Sequence, residues 1–408
     1  MTTPKEVIFR EISNGQKGSS YSTHALHSYP AQCIPQIPQF FLEKNKPKEE
    51  GSIVLDPFCG AGTVLLEGLH NGWNSFGVDI NPIASLISKV KTTPIDQKIL
   101  TDSLDKISKE FNSVKSSDLI KPHFENISYW FSDQVVDELT KIKHSLNQID
   151  NEDVNDFFKI IFSSILKRTS CADPRMYVPV RSKKEIHINP RWVWSFFSEK
   201  AKNGICKIAE LNQILKNTKT ASTVINADIN KLKLEKNYFD MIITSPPYIS
   251  AQKYVRSTRL EAYWLDIDKK TQLKINKDTI GSERIDHHNY NELILTGHNK
   301  IDTVLNQIYE KNQIRAGITS KYFIDMECVL KKLYCILKEN GKFILIIGDN
   351  TVTGLTVPTS KFLMEISEII GFKTKTILVD KINSRGMITK RNATASMITH
   401  EWVIEFLK

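Results

Sequence analysis

Ile53-Val54-Leu55-Asp56-Pro57-Phe58-Cys59-Gly60-Ala61-Gly62-Thr63 decides how this chain is to be folded. Three apolar residues, two of them β-branched, are cut off by Asp-Pro, which is the signature of a short buried strand. Gly60 and Gly62 follow, and a residue without Cβ lets the backbone turn tightly and approach a ligand closely. From Thr63 to His70 the apolar spacing becomes helical. A second strand is expected over Ser75 to Asp79, ending in an acid, after which Asn81-Pro82 can open a helix. Strand, helix and strand within 51–90 predict a parallel sheet covered by helices.

Working outward, residues 20–50 are rich in proline and aromatics and lead into a short helix at Gln36-Ile37-Pro38-Gln39-Phe40-Phe41-Leu42. Residues 98–113, 135–146 and 157–166 have helical patterns, the last with Phe158, Ile161, Phe162 and Ile165 on one face. Sheet rhythm returns at Thr223-Val224-Ile225-Asn226-Ala227-Asp228 and at 239–244. Arg259 to Leu265 reads as helix, 266–311 as polar and irregular, 321–337 as helix and 342–348 as strand. A helix over 361–370 then feeds strands at 375–379 and 401–407. The expected organisation is an N-terminal catalytic part (1–94), a mainly helical insertion (95–220) and a C-terminal catalytic part (221–408). The last contains a smaller insertion (266–315).

At 408 residues, with 40% hydrophobic and 25% charged side chains, the chain can bury a sizeable core and reads as an ordered soluble protein. Its apolar runs are strand-sized, and Met1-Thr2-Thr3-Pro4-Lys5-Glu6 lacks the apolar stretch of a secretory signal, so no membrane and a cytoplasmic location are expected. Cysteines at 33, 59, 171, 206, 328 and 335 form no CxxC pair, so separate reduced thiols are expected and no metal site. The net charge of +9 permits a polyanionic partner. Residues 181–220 concentrate nine Lys/Arg against three Glu and carry Trp192, Trp194, Phe196 and Phe197. That mixture suits phosphate and base contacts, or equally a solvated helix with ordinary core aromatics.

The glycine turn lacks the GxGxxG spacing of a dinucleotide site and the Gly-Lys-Ser/Thr of a P-loop. An acid at the tip of the next strand, Asp79, suits the two hydroxyls of a ribose. A nucleoside without phosphate, such as S-adenosylmethionine, fits better, and Asp228 could reach its adenine amino group. Other nucleotide sites and a plain structural turn remain open on this loop alone.

Thr244-Ser245-Pro246-Pro247-Tyr248 follows the apolar run of Phe239, Met241, Ile242 and Ile243. An exocyclic base amine is a poor nucleophile because its lone pair is conjugated with the ring. Two acceptors on its two hydrogens favour the tetrahedral geometry that attack requires, and the Ser245 hydroxyl with the Pro246 carbonyl can supply them. Proline stiffens the turn and brings no competing N–H. Tyr248 offers a flat face for an extruded base. In-line alignment and preorganised polarity would do the rest, with no covalent nucleophile.

Together these segments resemble the amino-methylating DNA methyltransferases of restriction–modification systems. Asp56 to Thr63, Asp79 and Thr244 to Tyr248 are similar to that family's cofactor and target motifs. Tyr21-Ser22-Thr23-His24-Ala25-Leu26-His27-Ser28-Tyr29-Pro30 is similar to its segment around the methionine end of S-adenosylmethionine. The resemblance covers roughly 20–90 and 223–403. It implies a Rossmann-like α/β S-adenosylmethionine-dependent fold, a mostly parallel sheet flanked by helices, with two insertions. It further implies cofactor contacts from Tyr21, His24, Tyr29, Pro30, Asp56, Pro57, Phe58, Cys59, Gly60, Gly62, Thr63, Asp79, Ile80, Asp228 and Thr244. Catalytic roles fall to Ser245, Pro246, Pro247 and Tyr248. Ser-Pro-Pro-Tyr is mostly found in the cytosine-N4 members, whereas Asp or Asn at the first position is typical of adenine-N6 members. The order here, cofactor loop before catalytic loop, departs from the permuted order common among cytosine-N4 enzymes.

The expected reaction is therefore site-specific methylation of cytosine N4 in double-stranded DNA after base flipping. Adenine-N6 methylation is the alternative, ahead of a tRNA or RNA amine methyltransferase and a non-catalytic DNA-binding protein. The RNA enzymes carry an upstream binding domain, for which the roughly fifty residues ahead of the glycine loop are too few. Candidate DNA contacts are Arg175, Arg181, Lys183, Lys184, Arg191, Arg256, Arg385, Lys390 and Arg391. A cognate restriction endonuclease is a possible partner, and a monomer or a homodimer is compatible with the sequence.

Overall fold

The computed structural model describes residues 3–12, 20–30, 33–184, 186–249, 254–283, 292–381 and 399–408. Strands β1 (Lys5–Val7), β2 (Ile53–Asp56), β3 (Asn74–Asp79), β4 (Ser222–Asn226) and β5 (Phe239–Thr244) precede the long β6 (Leu337–Ile347). A small hairpin, β7 (Asn350–Val352) and β8 (Leu355–Val357), then leads to β9 (Lys373–Lys381) and β10 (His400–Leu407). One eight-stranded sheet runs in the order β1-β9-β10-β6-β5-β2-β3-β4. All its pairings are parallel except those of β10, which lies antiparallel between β6 and β9. This is the expected Rossmann-like α/β architecture.

The order places a reversal at β2. From β2 the chain crosses outward through the helix Thr63–His70 to β3, and later to β4. It then returns to the other side of β2 with β5, in the register Val54↔Met241 and Leu55↔Ile242. Ligands of open α/β sheets bind in the crevice at the carboxyl ends of such a switch point. β2 and β5 are buried on both faces, which is why they read as unbroken apolar runs rather than alternating ones.

The first insertion is helical and packs against the catalytic part. Helices Gln97–Ser113, Asp133–Leu146, Glu152–Leu166 and Arg191–Thr218 share one apolar cluster with the helix Pro82–Thr92 and with Tyr29 and Ala61 of the catalytic part. Phe157, Phe158 and Phe197 are fully buried there, each contributing about 2 to 3 kcal/mol. Lys89 adds ion pairs to Glu152 and Asp156 at 2.9 and 2.8 Å. The 28-residue helix Arg191–Thr218 delivers the chain into β4. The basic–aromatic stretch 181–220 spans this helix, and part of its aromatic content is core: Trp194 stacks on Phe111 at 4.4 Å and Phe197 is buried. Trp192 remains half exposed.

The second insertion is more regular than its polarity suggested. Helices Lys269–Asp278 and Asn299–Lys311 occupy it, the latter burying Ile301, Leu305 and Ile308 at helical spacing. Among the described residues no helix is long and apolar enough to cross a membrane.

Candidate active site

The turn after β2 is built on one buried carboxylate. Asp56 Oδ1 accepts from the Phe58 backbone N–H at 3.1 Å and from Thr244 Oγ1 at 2.7 Å. Thr244 is the last residue of β5, so this bond ties the cofactor turn to the start of the Ser-Pro-Pro-Tyr loop. The two loops lie at the same end of adjacent parallel strands.

The turn is closed from the side of β3. The Cys59 N–H donates to the Val78 carbonyl at 3.0 Å, and the Gly60 N–H donates to Asp79 Oδ2 at 2.9 Å. Asp79 Oδ1 accepts from the Asn81 N–H at 2.8 Å. Asn81 caps the helix Pro82–Thr92 through Ile83 N–H and donates to the Tyr29 hydroxyl at 3.1 Å. Gly62 sits at φ 77° ahead of the helix Thr63–His70, where a Cβ would also come 3.1 Å from the Ser88 backbone. Both the backbone angle and the close helix require glycine there.

These elements line an open-mouthed cavity whose empty space, solvent at its mouth included, is about 920 Å³. Of the sequence candidates, Tyr29, Pro30, Asp56, Pro57, Phe58, Cys59, Gly60, Thr63, Asp79, Ile80, Asp228, Ser245 and Pro247 line it. Gly62 and Thr244 stand behind the wall in the supporting roles just described. Tyr21 and His24 are placed elsewhere: both side chains hydrogen-bond Glu67 of the helix Thr63–His70, His24 at 2.8 Å, and neither lines the cavity. They brace the segment that carries Tyr29. Pro246 is buried. Tyr248, half-buried, donates from its hydroxyl to Glu401 Oε1 at 3.1 Å, a bond that orients the ring.

Several wall residues were missed from sequence. Tyr254 and Val255 come from the short helix Tyr254–Ser257, and Asp278, Thr279 and Ile280 come from the end of the helix Lys269–Asp278. The second insertion thus supplies one side of the site. Gly281, at φ 75°, lies so close to the catalytic loop that a Cβ would be 2.7 Å from the Tyr248 carbonyl oxygen. A glycine after a run of helical polar residues was the sole local signal. Glu401 carried none, being one polar residue at the start of a β-strand.

The residues fit the nucleoside end of S-adenosylmethionine. Asp79 is a half-buried carboxylate whose two oxygens accept from the Gly60 and Asn81 backbone N–H groups, and ribose hydroxyls would add the further donors it can accept. Ile80, Ile229 and Ile280 offer apolar walls for a flat purine. Burial raises the Asp79 carboxyl to about 6 and the Asp56 carboxyl to about 7, while their backbone and Thr244 hydrogen bonds pull the other way. Burial also holds the Cys59 and Cys33 thiols well above their usual range, which leaves them protonated and unsuited to nucleophilic work. Among the described residues no cluster of His, Cys, Asp and Glu is placed to hold a metal ion.

These shifts have a sign. Both carboxyls bind protons more tightly folded than unfolded. Their stability contribution is complete below the unfolded value near 4 and is lost as pH rises through about 6 for Asp79 and about 7 for Asp56. Hydroxyl donors on Asp79 favour its ionised form, so binding has the opposite slope. The dissociation constant of S-adenosylhomocysteine is expected to rise roughly tenfold per pH unit below about 6. Calorimetric titration from pH 5 to 8 checks this. A flat profile in the native protein, or an unchanged slope in Asp79→Asn, would remove Asp79 from the site.

The DNA-contact candidates scatter. Arg175 is exposed and paired with Asp173 at 2.7 Å. Lys183, Lys184 and Arg191 are exposed, Arg191 opening the helix Arg191–Thr218. Arg181 and Arg256 meet in one cleft beside the cavity. Arg385, Lys390 and Arg391 lie outside the described residues.

No family model matches the chain. It is similar to the type II methyltransferase M.MvaI of Kocuria varians, 28% identical over 404 residues, covering 93% of this chain and 88% of that protein. It is also similar to the type II methyltransferase M.BsoBI of Geobacillus stearothermophilus, at 24% identity over 90% of this chain and 82% of that protein. A solved rRNA methyltransferase, aviRa of Streptomyces viridochromogenes, aligns at 10% identity with a TM-score of 0.34 over 93% of this chain and 88% of its own. Both motif loops are joined at one sheet edge, and the likeness to type II methyltransferases over most of the chain supports an amino-methyltransferase family of restriction–modification systems, with S-adenosylmethionine as the methyl donor.

Proposed function

We propose that the protein methylates the exocyclic N4 amine of cytosine at a specific sequence in double-stranded DNA. The observation that carries this reading is the Thr244–Asp56 hydrogen bond, which sets the Ser-Pro-Pro-Tyr loop beside the cofactor turn. Bound S-adenosylmethionine supplies an electrophilic methyl group. The chain's own part is to position the amine. The Ser245 hydroxyl and Pro246 carbonyl accept its two hydrogens, which frees the nitrogen lone pair from the ring. Tyr248, held by Glu401, stacks on the extruded base. Asp79 and the glycine turn hold the nucleoside so that the methyl faces that nitrogen. The departing amine proton passes to solvent, and no covalent adduct is needed.

Incubation with labelled S-adenosylmethionine and genomic DNA, followed by nucleoside mass analysis, tests the reading. N4-methylcytosine is the expected product. N6-methyladenine alone would overturn the base assignment and leave the reaction class, whereas label in RNA alone would overturn DNA as substrate. Sequencing of modified bases would then give the recognition site and show whether a cognate endonuclease shares it.

The first insertion is proposed to touch the DNA backbone through Lys183 and Lys184. Removing both charges is expected to weaken duplex binding and lower the log–log salt slope by about 1 to 2. Unchanged affinity and slope would make that stretch a bystander.

A further inference from the structure

Beside the cofactor cavity lies a second, shallower cleft, formed where the first insertion meets the helices that follow the catalytic loop. Arg181, Arg256 and Arg259 line it with Tyr129, Trp130 and Pro179. No Asp or Glu is among its described lining residues. Three guanidinium groups around one concavity without an acid are a costly arrangement unless an anion joins them.

The arginines are also aimed. Arg181 lies over the Tyr129 ring at 4.8 Å and donates to the Tyr129 carbonyl. Arg259 lies over the Trp130 ring at 4.5 Å and donates to the Pro179 carbonyl at 3.0 Å. Each guanidinium plane is thereby fixed while part of its donor fork stays available, and the Arg259 Nε is buried without a hydrogen-bond partner. Burial lowers the Arg259 pKa; Tyr263 opposes this, Arg256 adds a smaller lowering effect and Tyr129 a smaller raising one.

Position narrows the anion. Tyr254 and Val255 face the cofactor cavity, and Arg256, the next residue of the same short helix, faces the cleft. An anion in the cleft is therefore one helix wall away from the target amine. A tetrahedral oxyanion on a polymer entering the catalytic loop matches both the fork geometry and this spacing.

We infer that the Arg181–Arg256–Arg259 cleft binds a backbone phosphodiester of the DNA strand carrying the target base, next to the extruded nucleotide. The inference rests on the nucleic-acid reading above and adds the site that grips the strand. It differs from the Lys183–Lys184 contact, whose exposed ammonium groups line neither cavity.

Fluorescence anisotropy of the full chain with a labelled random-sequence duplex, between 50 and 200 mM salt, tests it. Arg181→Gln and Arg256→Gln are each expected to weaken binding about tenfold at the lower salt and to reduce the salt slope by about 0.9. S-adenosylhomocysteine affinity and melting temperature should stay unchanged, which separates a lost contact from a misfolded chain. Lys202→Gln, at an exposed position on the helix Arg191–Thr218, controls for general charge. If the wild type binds DNA while both variants keep its slope, or if Lys202→Gln loses as much, the cleft assignment falls and the DNA reading survives. A wild type that binds a labelled RNA duplex but no DNA, or neither, overturns both.

Discussion

Ser245→Ala is expected to lower kcat roughly a hundredfold or more while the dissociation constant of S-adenosylhomocysteine stays within about twofold. Ser245 lies on the cavity wall at the carboxyl end of β5, on the far side of the crevice from Asp79 of β3. Its hydroxyl is one of the two proposed acceptors for the target amine, and an acceptor needed most at the bent transition-state nitrogen affects turnover more than ground-state binding. Tyr248→Ala should behave alike, by loss of the stacking face. Tyr248→Phe keeps that face and gives up the hydroxyl's hydrogen bonds to Glu401 and Ser245, so a smaller loss is expected. Single-turnover kinetics on DNA, together with calorimetry of the cofactor product, separate the two parameters. If Ser245→Ala weakened cofactor binding and turnover equally, the hydroxyl would belong to the cofactor site.

Asp79→Ala is expected to do the reverse, raising the S-adenosylhomocysteine dissociation constant about a hundredfold with a smaller change in kcat at saturation. Hydrogen bonds to a charged acceptor are worth about 1.5 to 3 kcal/mol each, and a ribose diol can make two. The same carboxylate holds the Gly60 and Asn81 N–H groups, so alanine also loosens the turn on which the nucleoside rests. Asp79→Asn keeps one acceptor oxygen and should fall between the two. An unchanged dissociation constant in Asp79→Ala would mean that the ribose lies elsewhere in the cavity.

The two variants probe opposite halves of one crevice, and their contrast depends on how the halves come together. Asp56 and Thr244 are 188 positions apart, yet their side chains share the hydrogen bond that joins the loops. The helical insertion between them forms a core with the helix Pro82–Thr92 and returns the chain to the sheet through Arg191–Thr218. It is thus part of the scaffold, while its edge, with Arg181, turns toward the helices after the catalytic loop.

Legibility followed the range of the forces involved. The strand Ile53–Asp56, the glycine turn, the helix Thr63–His70 and the strand ending at Asp79 were readable because each rests on local preferences. These are a β-branched run, proline's missing donor, a positive φ at Gly62 and an N-cap at Asn81. The second insertion was misjudged as irregular because Lys269–Asp278 is polar and buries little, so its apolar stripe is too thin to register as a period. Tyr21 and His24 looked like ligand contacts by their place in a motif. Their partner, Glu67, sits on a helix whose orientation toward them no local pattern encodes.

By itself the sequence determined the fold class and marked the glycine turn with its acid and the Ser-Pro-Pro-Tyr loop, since these depend on backbone chemistry within a few residues. Only the tertiary structure decided which side chains wall the cavity, that Glu401 steadies Tyr248, and that Arg181 from one insertion meets Arg256 and Arg259 across a cleft. Those contacts follow from parallel strand pairing and helix packing over long separations, where burial of the whole apolar surface, rather than any local preference, selects the arrangement.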